Sequence, residues 1–353
     1  MARTIMIMAG GTGGHVFPGL AVADEMRSRG WRVVWLGAPG GMESALVPQR
    51  GYEMAWVSFA GVRRKGLLAF ALLPMRLLIA FWQAARAIFA HRPDVLLGMG
   101  GYQSFPGGMM AALFGRPLVI HEQNSVAGLA NRVLAGVADR VLCAFDGALK
   151  NATVTGNPVR PEIAALAAPE LRYRARSGKL KLLVIGGSLG ASVLNETVPR
   201  ALALMAAEQR PQVVHQSGAA HSDALARRYG EADVLAETLA FIDDMAAAYT
   251  DADVVLCRAG ALTVSELAAA GVASILVPYP HAVDDHQTRN ARQLADAGAA
   301  VLVPQPELTP ERIAVLLAEM SRERLCDMAC KARALARAGA TQAVAQNCME
   351  VAG

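Results

Sequence analysis

The sequence has little of what marks a disulfide-linked, metal-binding or secreted protein. Its 353 residues include only five cysteines, whose spacing follows neither a metal-ligand nor a disulfide pattern. Cys326 and Cys330 lie four residues apart in a predicted helix, so we interpret them as packing residues. The first residues predict a strand and no signal peptide. These absences favour a reducing, cytoplasmic compartment.

Aromatic residues are also scarce, at 5% of the chain, whereas 54% of the residues are apolar. Alanine, valine, leucine and glycine are abundant, which suits alternating strands and helices. A chain of 353 residues is too long for one ordinary core, so its length predicts two domains.

Short β-rich runs separated by helix-length segments occur in two series along the chain. This alternation predicts βαβ units, in which helices cover both faces of a parallel sheet. The predicted strands are Thr4–Met8, Arg32–Leu36, Val95–Leu97, Leu118–Ile120, Arg140–Leu142 and Thr153–Thr155, then Lys181–Ile185, Gln212–His215, Val254–Cys257, Ser274–Val277 and Ala300–Val303. We therefore expect an α/β protein of two doubly wound, Rossmann-like domains facing across a cleft.

The turn-forming segment Gly156-Asn157-Pro158 follows the first series and predicts the domain boundary. We expect an N-terminal domain over residues 1–158 and a C-terminal domain over residues 159–336, with a final helix at about 337–353 that packs back onto the first domain. Open parallel sheets bind ligands beyond the carboxyl ends of their strands. The active site is therefore expected between the two halves.

Charge is divided unevenly between the halves. Residues 1–160 carry 16 Lys and Arg against 8 Asp and Glu, whereas the remainder carries 18 against 22. The overall net charge of +4 therefore conceals a basic first half and a mildly acidic second half.

No apolar run is a convincing membrane span. The most apolar segment, residues 62–90, contains Arg76 and Arg86 and is interrupted by Pro74, which makes it a poor transmembrane helix. A helix starting near Pro74 would leave a wide apolar face beside a narrow basic one. That face suits either the core or, with the basic cluster at 63–65, an anionic lipid surface.

Three glycine-rich turns follow predicted strands, at residues 10–15, 98–102 and 186–191. Glycine lets the backbone approach a ligand and helix N-termini attract anions, so these turns suit diphosphate groups, although tight turns also need glycine structurally. The first turn, which should open a helix near Pro18, is neither a dinucleotide fingerprint nor a P-loop, because Val16 replaces the third glycine and no Lys-Ser/Thr pair follows. The second predicted strand ends without an acid, which disfavours a nicotinamide cofactor.

Polar residues cluster after other predicted strands. Glu122 and Asn124 suit sugar hydroxyls, whereas their neighbour His121 is interpreted as a buried core histidine. Thr263 and Glu266 have capping-box spacing, which leaves two interpretations open. They cap a helix, or the Glu266 carboxylate accepts hydrogen bonds from ribose hydroxyls.

The acidic segment Asp284-Asp285-His286 raises the question of a metal. These residues lie on a presumed loop without three converging ligands, so we expect no metal there.

Eight motifs and one further residue together closely resemble the MurG family of bacterial peptidoglycan glycosyltransferases. They are AGGTGGHVFPGLAVA, GMGGY, HEQN, TGNPVR, GGSLGA, HQSG, FIDDMAAAY, CRAGALTVSE and the downstream Gln287, in the family's order over nearly the whole chain. The resemblance implies a glycosyltransferase-B fold with the acceptor on the N-terminal domain and the donor on the C-terminal one. It implies transfer of N-acetylglucosamine from its UDP donor to the C4 hydroxyl of undecaprenyl-diphospho-muramoyl-pentapeptide, which converts lipid I to lipid II.

The resemblance also implies the donor contacts. Arg160 and the backbone of Ile242 would bind the uracil, Ser188 the diphosphate, Glu266 the ribose and Gln287 the hydroxyls of N-acetylglucosamine. The turn that holds phosphate and sugar would comprise Ala261, Leu262, Thr263, Val264, Ser265 and Glu266. Further donor contacts would come from Thr12, Gly13, Gly14 and Asn124.

Catalysis is expected to be a single inverting displacement assisted by a general base. His15 is the first candidate, because a neutral imidazole accepts a proton near neutral pH, and Glu122 is the second, unless it orients the acceptor instead. Oriented amides, with no metal and no cofactor, would stabilise the departing diphosphate. Two alternatives stay open: a UDP-N-acetylglucosamine 2-epimerase of the same fold, and a non-catalytic membrane scaffold.

The expected partners are the UDP-sugar, the lipid-linked acceptor, an anionic membrane surface and other cell-wall synthesis proteins, with no nucleic acid. We expect a peripheral protein at the cytoplasmic face of the bacterial inner membrane.

Overall fold

The computed structural model describes residues 2–59, 72–187 and 190–353, and within it the chain divides into two units. The first unit comprises Met1–Arg160 and Gly339–Gly353, and the second comprises Pro161–Ala338. Ser188, Leu189 and the basic cluster at 63–65 lie outside the described residues.

Each unit contains one parallel sheet. In the first unit the described strands are β1 (Thr4–Met8), β2 (Arg32–Gly37), β3 (Glu53–Trp56), β4 (Val95–Gly98), β5 (Leu118–Glu122), β6 (Arg140–Cys143) and β7 (Thr153–Val154), in the order β3-β2-β1-β4-β5-β6-β7. In the second they are β8 (Lys181–Ile185), β9 (Gln212–Gln216), β10 (Glu237–Leu239), β11 (Val254–Cys257), β12 (Ala273–Leu276) and β13 (Ala300–Leu302), in the order β10-β9-β8-β11-β12-β13. The predicted α/β class with two doubly wound sheets is confirmed.

Helices connect the strands and cover the sheets. Those of the first unit are α1 (Gly13–Ser28), α2 (Glu43–Gln49), α3 (Leu73–His91), α4 (Ser104–Leu113) and α5 (Leu129–Leu134), with α15 (Ala340–Val351) returning at the end of the chain. Those of the second are α6 (Pro161–Ala164), α7 (Pro169–Arg174), α8 (Ser192–Ala203), α9 (Ser222–Glu231), α10 (Met245–Asp251), α11 (Ala261–Ala270), α12 (His286–Ala295), α13 (Pro310–Ala318) and α14 (Arg322–Ala334).

The strands are apolar on both faces because helices cover both sides of each sheet. In β1, Ile5 and Ile7 join one core cluster, whereas Met6 and Met8 join the cluster on the opposite face. This is the alternation that a pleated strand imposes. Helix α15 packs with α1 in the first of these clusters, so the last helix belongs to the first core.

The sequence analysis omitted two strands and placed one helix start wrongly. The edge strands β3 and β10 were missed, since both are short and partly exposed and so lack a continuous apolar run. Helix α1 begins at Gly13, not near Pro18, which lies inside it. The expectation rested on the preference of proline for the first helical position. Inside α1, Pro18 removes only one backbone N–H donor from the helix, and its ring is buried.

Candidate functional site

The first glycine turn follows β1 and rests on a buried carboxylate. Glu43 is fully buried and accepts hydrogen bonds from the Gly11 amide at 3.2 Å, the Ala38 amide at 3.1 Å and Gln103 Nε2 at 2.7 Å. It thereby joins the ends of β1 and β2 to the start of α4. Sequence analysis missed Glu43 and Gln103, because a glutamate in the first turn of a helix is an ordinary preference.

The second glycine turn follows β4 and packs directly on the first. A Cβ at Gly101 would lie 2.6 Å from the carbonyl oxygen of Gly10, and a Cβ at Gly100 would lie 2.8 Å from His15 Nδ1. Both glycines have φ above +90°. The half-buried His15 ring therefore has room only because residue 100 has no side chain.

A chain of hydrogen bonds runs from His15 into the first unit. His15 Nδ1 lies 2.8 Å from Gln123 Oε1, Gln123 Nε2 lies 3.1 Å from His121 Nδ1, and His121 Nε2 lies 2.9 Å from the carbonyl oxygen of Gly156. Burial lowers the pKa of His121 to about 4, against weaker opposing effects of Gly156 and Glu122. His121 is thus the buried core histidine that the sequence predicted.

The carboxylate of Glu122 is surrounded by donors. It accepts hydrogen bonds from the Asn124 amide at 2.9 Å, Asn124 Nδ2 at 3.2 Å, the Gly128 amide at 3.1 Å and Asn131 Nδ2 at 2.9 Å. Glu122 is also nearly fully buried. This geometry favours a residue that shapes the loop after β5 over one that exchanges protons with a substrate.

Strands β1, β4 and β5 are neighbours in the sheet, so their carboxyl ends bring the predicted residues of the first unit together. The group comprises Thr12, Gly13, Gly14, His15, Glu122 and Asn124. Arg160 ends the first unit, with its guanidinium 5.4 Å from the centre of the Phe17 ring on α1.

In the second unit the glycine turn after β8 is held by residues of β9 and the turn after it. A Cβ at Gly190 would lie 1.9 Å from the carbonyl oxygen of Ser217, and Asn195 Nδ2 donates to the same oxygen at 3.0 Å. Gln216 is nearly buried and also reaches this turn. Sequence analysis gave no role to Gln216, because an amide in a strand carries no distinctive signal.

Glu266 lies inside α11 and is not part of a capping box. The N-cap is Gly260, without a side-chain cap, so the capping interpretation of Thr263 and Glu266 is wrong. Glu266 is nearly buried and accepts a hydrogen bond from the Tyr249 hydroxyl at 3.3 Å. The free amides of α11 begin at Ala261, at the carboxyl end of β11, where an anion is favoured.

The remaining donor residues also follow strands of the second sheet. Ile242 follows β10 and is buried, and Gln287 lies in the first turn of α12. Gln287 Oε1 accepts from the Tyr279 amide at 2.9 Å, while Arg258 fixes the same segment through the Pro278 carbonyl at 3.1 Å. Throughout the described ranges, no three histidine, cysteine or acidic side chains converge as metal ligands.

Helix α3 presents large apolar side chains to solvent. It has Pro74 in its first turn, as predicted, and packs on the sheet through Ala80, Ala84, Ala87 and Ile88. The exposed residues are Met75, Leu78, Ile79, Trp82 and Phe89, which we call the α3 apolar face. By length and composition, α3 is the one helix of the described chain that could cross a membrane, but its alanine side belongs to the core.

Comparisons with known proteins cover nearly the whole chain. Residues 5–143 match the glycosyltransferase family 28 N-terminal domain, and residues 181–349 match the C-terminal domain of that family. The chain is 62% identical over 352 residues to a protein of Dechloromonas aromatica, covering 100% of both chains, and 64% identical over 350 residues to one of Aromatoleum aromaticum, covering 99% of this chain and 98% of the relative. Both relatives are named UDP-N-acetylglucosamine–N-acetylmuramyl-(pentapeptide) pyrophosphoryl-undecaprenol N-acetylglucosamine transferase.

A solved structure gives the same relationship. The crystal structure of Acinetobacter baumannii MurG matches with a TM-score of 0.85 and 40% identity over 99% of each chain.

Proposed function

The chain belongs to the MurG family of glycosyltransferases, and from that membership we propose how its residues carry out the reaction and where it takes place. The fold is glycosyltransferase-B, and the enzyme transfers N-acetylglucosamine from UDP-N-acetylglucosamine to lipid I, forming lipid II. The comparisons give no support to an epimerase or a non-catalytic scaffold.

The proposed chemistry is one displacement at the anomeric carbon. The C4 hydroxyl oxygen of the muramyl sugar forms a bond to C1 of N-acetylglucosamine, while the bond from C1 to the β-phosphate oxygen breaks and its electron pair leaves with UDP. His15 Nε2 takes the hydroxyl proton, and the resulting imidazolium later returns it to solvent. A general base of this kind typically contributes about 10²–10⁴-fold.

The position of His15 carries this assignment. His15 lies in the first turn of α1, its ring occupies space that Gly100 leaves free, and its Nδ1 is hydrogen-bonded to Gln123. Glu122 is the weaker candidate because four donors already occupy its oxygens.

On the donor side, we propose that Glu266 binds the ribose hydroxyls and the amides at the start of α11 stabilise charge on the departing diphosphate. We assign the uracil to Arg160 and Ile242, and the hydroxyls of N-acetylglucosamine to Gln287, as the resemblance implies. Ser188 keeps its predicted place at the diphosphate. Because these interactions need no bound ion, the reaction should proceed without a metal.

One assay tests this function. Labelled UDP-N-acetylglucosamine is incubated with a lipid I analogue, with and without EDTA, and label in the lipid product is counted. The proposal expects equal label in both. Label that never enters lipid would contradict the transfer, label in free epimerised sugar would favour the epimerase, and EDTA sensitivity would overturn the metal-free mechanism.

We also propose that the enzyme binds the cytoplasmic face of the bacterial inner membrane as a peripheral protein. The α3 apolar face supports this, since five large apolar side chains on one helix are exposed beside Arg76 and Arg86. Apolar burial and attraction to anionic lipid would act together on such a surface. Lipid is the occupant that we propose for this face, and a second wall-synthesis protein is the competing outcome of a vesicle-binding measurement.

A further inference from the structure

We infer that Gln123 is a positioning residue that holds His15 in the tautomer with its proton on Nδ1, leaving Nε2 unprotonated for the acceptor hydroxyl. The inference rests on the proposed role of His15 as the base. The supporting observation is the series of hydrogen bonds from Gly156 to His15. In this series, the direction of each hydrogen bond fixes the direction of the next.

The hydrogen-bond chain begins at a backbone carbonyl group, which can only accept hydrogen bonds. The carbonyl oxygen of Gly156 lies 2.9 Å from His121 Nε2, so His121 must carry its proton on Nε2. His121 is completely buried beside no described anion except Glu122, and its ring is neutral. Its Nδ1 is therefore a bare acceptor that needs a donor.

The Gln123 amide supplies that donor in one orientation only. Its Nε2 lies 3.1 Å from His121 Nδ1 and 3.1 Å from the carbonyl oxygen of His121, and both of these atoms accept hydrogen bonds. Rotating the amide would turn an oxygen toward two acceptors in a buried place, which is strongly unfavourable. The NH₂ group of Gln123 consequently faces His121, and its oxygen faces His15.

The tautomer of His15 follows from that oxygen. Gln123 Oε1 lies 2.8 Å from His15 Nδ1, so Nδ1 must donate and Nε2 keeps its lone pair. Gly100 leaves room for the ring at this edge, because a Cβ there would lie within 3 Å of both Nδ1 and Cε1. The hydrogen bond to Gln123 thus fixes the proton on Nδ1, and Gly100 supplies the space that the ring occupies.

The neutrality of Gln123 also matters to turnover. When Nε2 gains the acceptor proton, the Nδ1–H bond to Gln123 persists, so the ring does not need to move. A neutral amide stabilises the imidazolium less than a carboxylate would, and the proton can therefore leave to solvent readily.

The direct test is nuclear magnetic resonance of the whole enzyme with ¹⁵N-labelled histidine. His15→Gln identifies the His15 signals. In alkaline buffer, where the rings are neutral, we expect His15 to show a protonated Nδ1 and an unprotonated Nε2, and His121 to show the opposite tautomer. A His15 ring protonated on Nε2, or an equal mixture, would overturn the inference.

Two variants test the consequence for catalysis. Gln123→Met keeps the side-chain length but removes both hydrogen bonds, and should lower kcat by roughly 10- to 100-fold, part of the base's contribution, with KM for the donor changed less than about threefold. Its His15 signals should become a tautomer mixture. Unchanged kcat with a folded protein would contradict the role of Gln123.

Gln123→Glu places one carboxylate oxygen against the same nitrogen, and its second oxygen faces His121 Nδ1, which must then bind a proton to pair with it. The variant should stabilise the protonated His15 ring, so the acid limb of the kcat/KM profile moves about 1 to 2 pH units higher and activity recovers in alkaline buffer. A merely structural defect would lower activity without moving the limb, and that result would sink the inference. His15→Ala separates the two proposals: if it retains activity, the base assignment fails even where the tautomer is as expected.

Discussion

The side-chain amide of Gln216 donates a hydrogen bond to the carbonyl oxygen of Gly187 at 2.9 Å and a longer one to that of Ala240 at 3.3 Å. One buried side chain thus ties the glycine turn after β8 to the segment that precedes Ile242. The two segments are those predicted to bind the diphosphate and the uracil. Gln216 therefore sets the distance between the two ends of the predicted nucleotide site.

Gln216→Met should weaken binding of the UDP-sugar more than it slows the chemical step. Losing two hydrogen bonds of about 1 kcal/mol each should raise KM for UDP-N-acetylglucosamine roughly 5- to 30-fold while kcat changes less than about threefold. Gln212→Met, at the exposed start of the same strand, is the control and should leave KM unchanged. Steady-state kinetics at varied UDP-N-acetylglucosamine concentration measure both constants. A fall in kcat with unchanged KM would refute the role of Gln216 in donor binding.

Gly100→Ala should damage catalysis out of proportion to stability. Its Cβ would lie 2.8 Å from His15 Nδ1, and its φ of +93° strains any side chain. Gly115→Ala is the matched control, because it has φ of +60° but open space around it. Gly115→Ala should lose about 1–2 kcal/mol of unfolding free energy and Gly100→Ala somewhat more, but only Gly100→Ala should lose kcat, by at least about tenfold. Equal kcat in the two variants would show that His15 does not need the space that Gly100 leaves beside its ring.

The second unit should lose stability in mild acid through His215. Burial lowers the pKa of this histidine from 6.5 to about 3, while its ring nitrogens pair with the Tyr229 hydroxyl at 2.8 Å and Asn195 Oδ1 at 3.1 Å. The unfolded chain binds a proton that the folded one rejects, so the stabilisation is complete above pH 6.5 and is lost as the pH falls toward 3. The slope should be about 1.4 kcal/mol per pH unit.

Urea unfolding at several pH values between 7 and 4 measures that slope. His215→Gln should reduce the pH dependence by about one proton, whereas His281→Gln, at an exposed position, should leave it unchanged. A His215→Gln protein with the wild-type slope would show that the acid sensitivity arises elsewhere.

The α3 apolar face should determine binding to lipid. Leu78 is 66% exposed and Leu235, in the second unit, is 97% exposed, so Leu78→Glu and Leu235→Glu form a matched pair. Leu78→Glu should reduce binding to vesicles with about a quarter anionic lipid by roughly tenfold or more, and Leu235→Glu should not. Binding of the wild type should weaken in salt. Equal binding by both variants, or capture only by a wall-synthesis protein, would contradict the lipid assignment.

The sequence by itself determined the class of fold, most of the strands and the glycine turns. Buried parallel strands are continuous apolar runs, and strained turns need glycine, so both leave local signals. The edge strands β3 and β10 left none, because one-sided pairing and exposure relax the demand for apolar residues. The identity of the family likewise came from short motifs alone.

Only the tertiary structure decided how the polar residues pair. The motif HEQN contains Glu122 and Gln123 as neighbours, yet one faces a loop of amide donors and the other lies between two histidines. Similarly, α3 could bury its large apolar face or its alanines, and packing against the sheet selected the alanines. The physical reason is the same in both cases. Hydrogen bonds and close packing depend on groups distant in sequence, which adjacent residue types do not specify.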